Sequence, residues 1–376
     1  MRIVFTGGGT GGHFYPIIAV AEEINKIVEE KKYVGASLYF LSNTPFDKRA
    51  LFENGITYKR VYAGKVRRYF SLANITDLFK TALGILKALL LMFEIYPDVV
   101  FGKGGFASFP VLFAARILRI PVIIHESDIV PGKVNNWAKK FARRIAVAYP
   151  EAAEHFPPNK TALTGIPVRE LLRTPISHGA NEFFGLEENV PVIMVLGGSQ
   201  GSQKINDSIV DILPKIIDRY QIIHQTGEKT FTETTGRAKI VLEGSQHANR
   251  YKPFSYLSVN ALAMGAGISK LVITRAGSTA LVEIAHWKVP SIVVPIPESV
   301  SHDQTKNAVA FARTGAGTLI EETNLTDTIL ISEIDRIVGN TTVQEKMKAG
   351  GADFARPDAA HKIAEEILSI ALSHEQ

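Results

Sequence analysis

Apolar residues along the chain fall into two alternating rhythms. "RIVFT" (2–6) is a short apolar strand running into glycines, and "IIAVAEEINKIV" (17–28) has helical spacing. "SLYFLS" (37–42) reads as a strand. Residues 75–95 carry apolar side chains at 75, 78, 79, 82, 83, 86, 89, 90 and 93, the spacing of a helix face, and Pro97 ends the run. "DVVFG" (98–102) is a strand, "PVLFAARILR" (110–119) a helix, and "PVIIHE" (121–126) and "RRIAVAY" (143–149) are strands. The second half repeats the scheme. "VPVIMVLGG" (190–198) is a strand into glycines, "KINDSIVDILPKIIDRY" (204–220) a helix and "QIIHQTG" (221–227) a strand. "KLVITRAGS" (270–278), "TALVEIAHW" (279–287) and "PSIVVPIP" (290–297) follow as strand, helix and strand, and residues 359–372 form a helical tail.

Strand–helix alternation predicts an α/β protein with parallel sheets. Two such halves, each opening on a glycine turn, predict two Rossmann-like domains facing across a cleft. A polar stretch punctuated by Pro167, Pro175 and Gly179 marks the join. The expected domains are 1–164 and 165–354, with the tail from about 355 to 376 packing back on the first. A length of 376 residues suits two domains.

The absence of cysteine excludes disulfides, thiolate metal sites and cysteine nucleophiles. No segment has the uninterrupted apolar length of a membrane span, and the opening residues read as a first strand rather than a signal peptide. The net charge of +5 is unevenly placed. Residues 59–144 hold 15 Lys+Arg against 5 Asp+Glu, a balance of +10, so the remainder is 27 against 32, or −5. A basic first half suggests an anionic partner.

Three glycine turns carry the candidate chemistry. Gly7–Gly12 satisfies G-x-G-x-x-G between a strand and a helix, where backbone N–H groups can approach a phosphate or sugar. A dinucleotide site also needs an acid at the end of the second strand. That strand ends in Ser42 and Asn43, and the nearest acid, Asp47, lies beyond Pro45. Gly197-Gly198-Ser199-Gln200-Gly201 fits a diphosphate nest. Arg275-Ala276-Gly277-Ser278-Thr279 is a third strand-to-helix turn, with Glu283 placed to accept from ribose hydroxyls.

Taken in order, these elements resemble the MurG family. The matching runs are Gly8–His13, Gly102-Lys103-Gly104-Gly105-Phe106, and His125-Glu126-Ser127-Asp128 with Pro131-Gly132 and Asn135. Gly165-Ile166-Pro167-Val168-Arg169, Gly197–Gly201, Arg275–Gly277 with Glu283, and Asp303–Ala308 complete the series. The resemblance implies a GT-B fold and an inverting transferase. It would move GlcNAc from UDP-N-acetylglucosamine to the C4 hydroxyl of the muramyl sugar of lipid I, giving lipid II.

By position, the resemblance places the backbone near Val259 against uracil and Glu283 on ribose. Ser199, Gln200, Ser278, Thr279 and Ala280 line the diphosphate, Gln304 and Asn307 read sugar hydroxyls, and Arg169 faces the leaving phosphate. Thr10, Gly11, Gly12 and Asp128 touch the sugar or acceptor. Gly104, Gly105 and Lys103 meet the acceptor diphosphate. Ser127-Asp128 stands where many relatives have Gln-Asn, Ile166 where asparagine is common and Phe106 where tyrosine is common.

Inverting transfer needs a base and stabilisation of the leaving UDP. His13 is the leading base candidate, with Asp128 a rival and His125 and Glu126 as possible sharers of the task. No D-x-D pair follows a strand near the diphosphate turns, so no metal or other cofactor is expected. Lys65-Val66-Arg67-Arg68-Tyr69-Phe70, the 75–95 helix, and Lys139, Lys140, Arg143 and Arg144 suggest a peripheral site on the anionic cytoplasmic face of the cell membrane. Most of the helix stripe is expected to be core, with Tyr69, Phe70 and Phe79 exposed. Other cell-wall and division proteins are candidate partners. The competing readings are another GT-B transferase, a UDP-sugar epimerase and, weakest for want of a motif, a basic nucleic-acid binder.

Overall fold

The computed structural model describes residues 1–64, 73–198, 201–298 and 302–373. It divides into two units, 1–169 with 356–376, and 170–355. The first break therefore falls after Arg169, five residues later than the sequence suggests, so the Gly165–Arg169 segment belongs to the first unit.

The first unit is built on seven parallel strands: β1 (Arg2–Thr6), β2 (Ser37–Ser42), β3 (Ile56–Arg60), β4 (Val99–Gly102), β5 (Val122–Glu126), β6 (Arg144–Val147) and β7 (Thr161–Leu163). Their order is β3-β2-β1-β4-β5-β6-β7. The second unit holds β8 (Val192–Leu196), β9 (Gln221–Gln225), β10 (Tyr251–Phe254), β11 (Ser269–Thr274), β12 (Ser291–Val293) and β13 (Gly317–Leu319), in the order β10-β9-β8-β11-β12-β13. Every pair is parallel. Parallel sheets are covered on both faces, which is why central strands such as "VVFG" and "VIMVL" are buried throughout instead of alternating. In each sheet the strand order reverses beside the first strand, between β1 and β4 and between β8 and β11. Ligands of open α/β sheets bind outside the carboxyl ends at such switch points.

The core of the first unit joins the Gly11–Glu30 helix to β1, β2 and β4. It is closed by Ile363, Ala364, Ile367, Leu368, Ile370 and Ala371 of the Ala359–Leu372 helix. Ion pairs Lys31–Glu365 and Arg144–Glu366, and a His361 Nδ1···Glu23 Oε1 contact of 3.0 Å, edge that packing.

The Ala73–Ile95 helix overturns an expectation. Its buried face is narrow: Asp77, Gly84, Ala88, Met92 and Ile95, with glycine and alanine at its middle. The carbonyl of Tyr62 occupies the space a Cβ at Gly84 would need, so only glycine permits this approach. The large apolar residues face outward. Leu78, Phe79, Leu83, Leu86, Leu90 and Phe93 are 60–77% exposed. Periodicity located the stripe and assigned most of it to the core; close packing through Gly84 and Ala88 instead turns the bulky side chains to solvent. Tyr69, Phe70 and the basic run from Lys65 lie outside the described residues.

Candidate functional site

In the first unit the loops after β1, β4 and β5 converge at the switch point. A Cβ at Gly105 would lie 3.3 Å from the carbonyl oxygen of Gly8 and 3.6 Å from Nε2 of His13. The two glycine loops therefore touch, with the His13 ring over Gly105. At Gly104, with φ of 79°, a Cβ would stand 2.8 Å from Nδ2 of Asn135, and this brings in the β5 loop. The Phe106 ring packs on Gly9.

His13 sits in the first turn of the 11–30 helix. Its Nδ1 pairs with the hydroxyl of Thr10 at 2.9 Å. Its pKa is pushed down to about 4, chiefly by burial and then by the charge of Lys103, with Asp128 opposing. The side chain still reaches solvent. At neutral pH it is an unprotonated imidazole with Nε2 toward the glycine loops.

Lys103 departs from its expected place. It is 1% exposed and donates to Oγ of Ser127. Burial brings its pKa down to about 8, against the attraction of Glu126 and Asp128. An ammonium buried behind the loop and bonded to Ser127 supports the wall of the site; it does not reach outward as a ligand for the acceptor diphosphate.

Glu126 is likewise engaged. Its Oε1 accepts from the backbone N–H of Ser127 (2.9 Å) and Asp128 (3.2 Å). Oε2 accepts from the N–H of Gly132 (3.0 Å) and from Nδ2 of Asn135 (3.0 Å). Four donors on one buried carboxylate make it the organiser of the 126–135 loop, a role that replaces the catalytic one considered from sequence. Burial and then Asp128 push its pKa up, and the hydrogen bonds restrain the rise. His125 is fully buried and donates from Nε2 to the carbonyl of Gly165 at 2.8 Å, a structural role. Asp128 is half-buried beside this group. Arg169 belongs to the first unit and is stacked over the Tyr15 ring, 3.7 Å from its centroid. Ile166 is fully buried.

In the second unit three helices start just after the carboxyl ends of β8, β10 and β11. Ser202 caps Gln203–Ile216 after the turn following β8. Ser258 caps Val259–Ile268 by accepting from the N–H of Ala261, so Val259 is the first residue of that helix. Gly277 precedes Ser278–Trp287, whose first turn is Ser278, Thr279 and Ala280, with Glu283, half-buried, in the next turn. Such termini favour anionic ligands. Ser199 and Gln200 lie outside the described residues, while Gly198 and Gly201 flank them with φ of 81° and 77°. Arg275 is pinned to the carbonyls of Val294 and Pro295, both at 3.3 Å, and to Glu322. Gln304 accepts from the N–H of Ile296 at 3.2 Å, and Asn307 on the same helix is fully buried.

The sequence places β9 as a strand but assigns no part to its polar side chains. Its residues "QIIHQ" are buried throughout; Gln225 bonds to Gly197 and Gly198 of the glycine turn, and His224 to Asn206 and Tyr251. Two glutamines and a histidine inside an otherwise apolar central strand were the available signal.

Profiles of known families match both halves. The glycosyltransferase family 28 N-terminal domain covers residues 3–147 and the family 28 C-terminal domain residues 192–363. A Bacillus cereus protein is 35% identical over 340 residues, 90% of this chain and 92% of its own length. It is named UDP-N-acetylglucosamine–N-acetylmuramyl-(pentapeptide) pyrophosphoryl-undecaprenol N-acetylglucosamine transferase 2. The chain belongs to the MurG family. A Clostridium botulinum transferase of that name is also 35% identical, over 91% of this chain and 92% of its own. Among solved structures, the MurG of Acinetobacter baumannii superposes with a TM-score of 0.71 at 23% identity, covering 98% of this chain and 99% of that one. A Neisseria meningitidis UDP-GlcNAc 2-epimerase bound to UDP-GlcNAc reaches 0.72 at 15%, covering 98% and 100%. The MurG family thus shares its GT-B architecture with epimerases, and fold alone does not separate the two chemistries.

Proposed function

We propose that this chain transfers GlcNAc from UDP-GlcNAc to the C4 hydroxyl of the muramyl sugar of lipid I, with inversion, giving lipid II for peptidoglycan. The observation that carries the mechanism is His13: neutral, oriented by Thr10, with Nε2 at the junction of two glycine loops. Nε2 takes the proton of the acceptor hydroxyl as its oxygen attacks C1 of the donor sugar. The C1–O bond to UDP breaks on the opposite side, and UDP departs with the bonding pair. Asp128, beside the imidazole, stabilises the imidazolium that forms.

In this reading the second unit holds the donor. The N-terminus at Val259 meets the uracil, Glu283 the ribose, and the Gly197–Gly201 turn with Ser278–Ala280 the diphosphate; Gln304 and Asn307 read the sugar. Gly104 and Gly105 receive the acceptor diphosphate through backbone N–H groups. Lys103 and Glu126 are positioning residues behind them. Family membership and 35% identity to named transferases over about nine-tenths of the chain support transfer over epimerisation. A UDP-release assay decides it. UDP should appear only when a muramyl-diphosphate lipid acceptor accompanies UDP-GlcNAc. Acceptor-independent release, or formation of a C2 epimer, overturns the transferase reading.

No helix among the described residues is long and apolar enough to cross a membrane. The exposed stripe on the Ala73–Ile95 helix, with Lys80 and Lys87 on the same helix, suits a protein lying on the anionic inner leaflet. Burying one leucine is worth about 1.5–3 kcal/mol. Leu86→Glu with Leu90→Glu should therefore weaken binding to anionic vesicles by roughly 100-fold or more. Turnover of a short-chain soluble acceptor should be kept. Unchanged vesicle binding removes this face from the membrane contact.

A further inference from the structure

Gln225 closes β9 and is buried. Its backbone carbonyl accepts from the N–H of Gly197 at 3.3 Å, and its side-chain Nε2 donates to the carbonyl of Gly198 at 3.3 Å. Its Oε1 accepts from the N–H of Leu257 at 2.9 Å. A backbone N–H can only donate, so the contact with Leu257 fixes which side of the amide is oxygen and leaves the NH2 for Gly198. One side chain thus ties the glycine turn before the Gln203–Ile216 helix to the segment that leads into the Val259–Ile268 helix.

The neighbours of Gln225 stiffen the same place. Asn206 is fully buried and donates to the carbonyl of Thr226 and to Oγ1 of Thr230, both at 3.0 Å. Its Oδ1 therefore accepts from Nε2–H of His224 at 3.0 Å, and Nδ1 of His224 accepts the Tyr251 hydroxyl at 2.9 Å. The carbonyl of Thr226 backs directly onto Gly201 at the far end of the turn, where a Cβ would collide with it. A buried hydrogen-bond chain from β10 through β9 thus supports one end of the turn, and Gln225 spans from the other end to the Leu257 segment. Fully satisfied buried networks of this kind hold a single geometry.

We propose that Gln225 is a positioning residue that sets the spacing between the nucleobase-reading edge at Leu257–Val259 and the diphosphate-facing glycines Gly197 and Gly198 that follow β8. The two ends of a uridine diphosphate then bind as one unit. The proposal rests on the reading of the second unit as the UDP-sugar site. Neither bond of the amide is made to the nucleotide itself; the residue acts through the loops it joins.

The test compares uridine and UDP binding by calorimetry in the full chain, with steady-state kinetics alongside. Gln225→Met keeps the length and removes both bonds. Gln225→Glu keeps the acceptor for Leu257 N–H and removes the donor to Gly198. The preference for UDP over uridine should shrink about tenfold in both variants, the loss of a buried hydrogen bond and the order it imposes. Uridine binding by Gln225→Glu should stay near that of the unaltered protein. KM for UDP-GlcNAc should rise about as much as the UDP affinity falls, with kcat at saturating donor within about twofold. If Gln225→Met fails to fold, Gln225→Glu decides, measured in high salt so that carboxylate–diphosphate repulsion is screened. An unchanged preference, including equal weakening of both ligands, overturns the coupling, as does a fall in kcat at constant KM. Absence of UDP binding by the unaltered protein would instead sink the donor-site reading itself.

Discussion

Alanine at His13 should cut kcat by about 10²–10⁴, the usual contribution of a general base. UDP-GlcNAc affinity should change less than about threefold, because the donor is assigned to the other unit. The sign of the pH effect follows from the depressed imidazole. Acid protonates His13 and removes the base, so kcat/KM should fall on the acid side, with the limb near the free-enzyme value of about 4 and well below the ordinary 6.5. Replacing Lys103 by methionine removes a cation that holds this value down, and the limb should move toward neutrality. Asp128→Asn tests the rival base. If His13→Ala turns over at the normal rate while Asp128→Asn is inert, the carboxylate takes the proton.

Alanine at Glu283 is expected to raise KM for UDP-GlcNAc by roughly 10- to 100-fold, the range for losing hydrogen bonds to a charged acceptor. kcat at saturating donor should stay within a few-fold, since the ribose is held alike in ground and transition states. Glu283→Gln should fall between, because an amide retains one acceptor. Measured KM values for the two variants equal to that of the unaltered protein would place the ribose elsewhere.

The central strands and long helices were legible because burial on both faces writes continuous apolar runs, as in β4, β5 and β8. The edge strands β3, β7, β10 and β13 were not: "ITYKR", "TAL", "YKPF" and "GTL" are short, half-covered and mix polar with apolar positions. The turns were readable because glycines follow apolar strands, at positive φ in the turns after β1, β4 and β8 but not at Gly277. Which polar side chain faces a ligand and which faces a loop was not readable. Lys103 and Glu126 lie one and zero residues beyond their strands, where sequence offers a cation and an anion beside a glycine loop. Only the packing shows that Ser127, Asn135 and the loop amides already use them. Gln225 was missed for the converse reason: its partners are backbone groups of segments about 30 residues away in both directions. The outward turn of Leu83, Leu86 and Leu90 depended on how closely Gly84 lets another chain segment approach, a quantity that periodicity does not contain.

The seven-stranded unit is interrupted in sequence by the whole of its companion, and its last helix supplies six residues of its interior. During synthesis, residues 170–355 emerge before that helix does, a delay of roughly 10–40 s at ordinary elongation rates. The six-stranded unit can mature first, while the N-terminal sheet waits with the flank of its Gly11–Glu30 helix uncovered. Nascent chains halted before residue 359 should then be protease-sensitive in the early-made segment and resistant in the later one, the reverse of the usual N-to-C order of maturation.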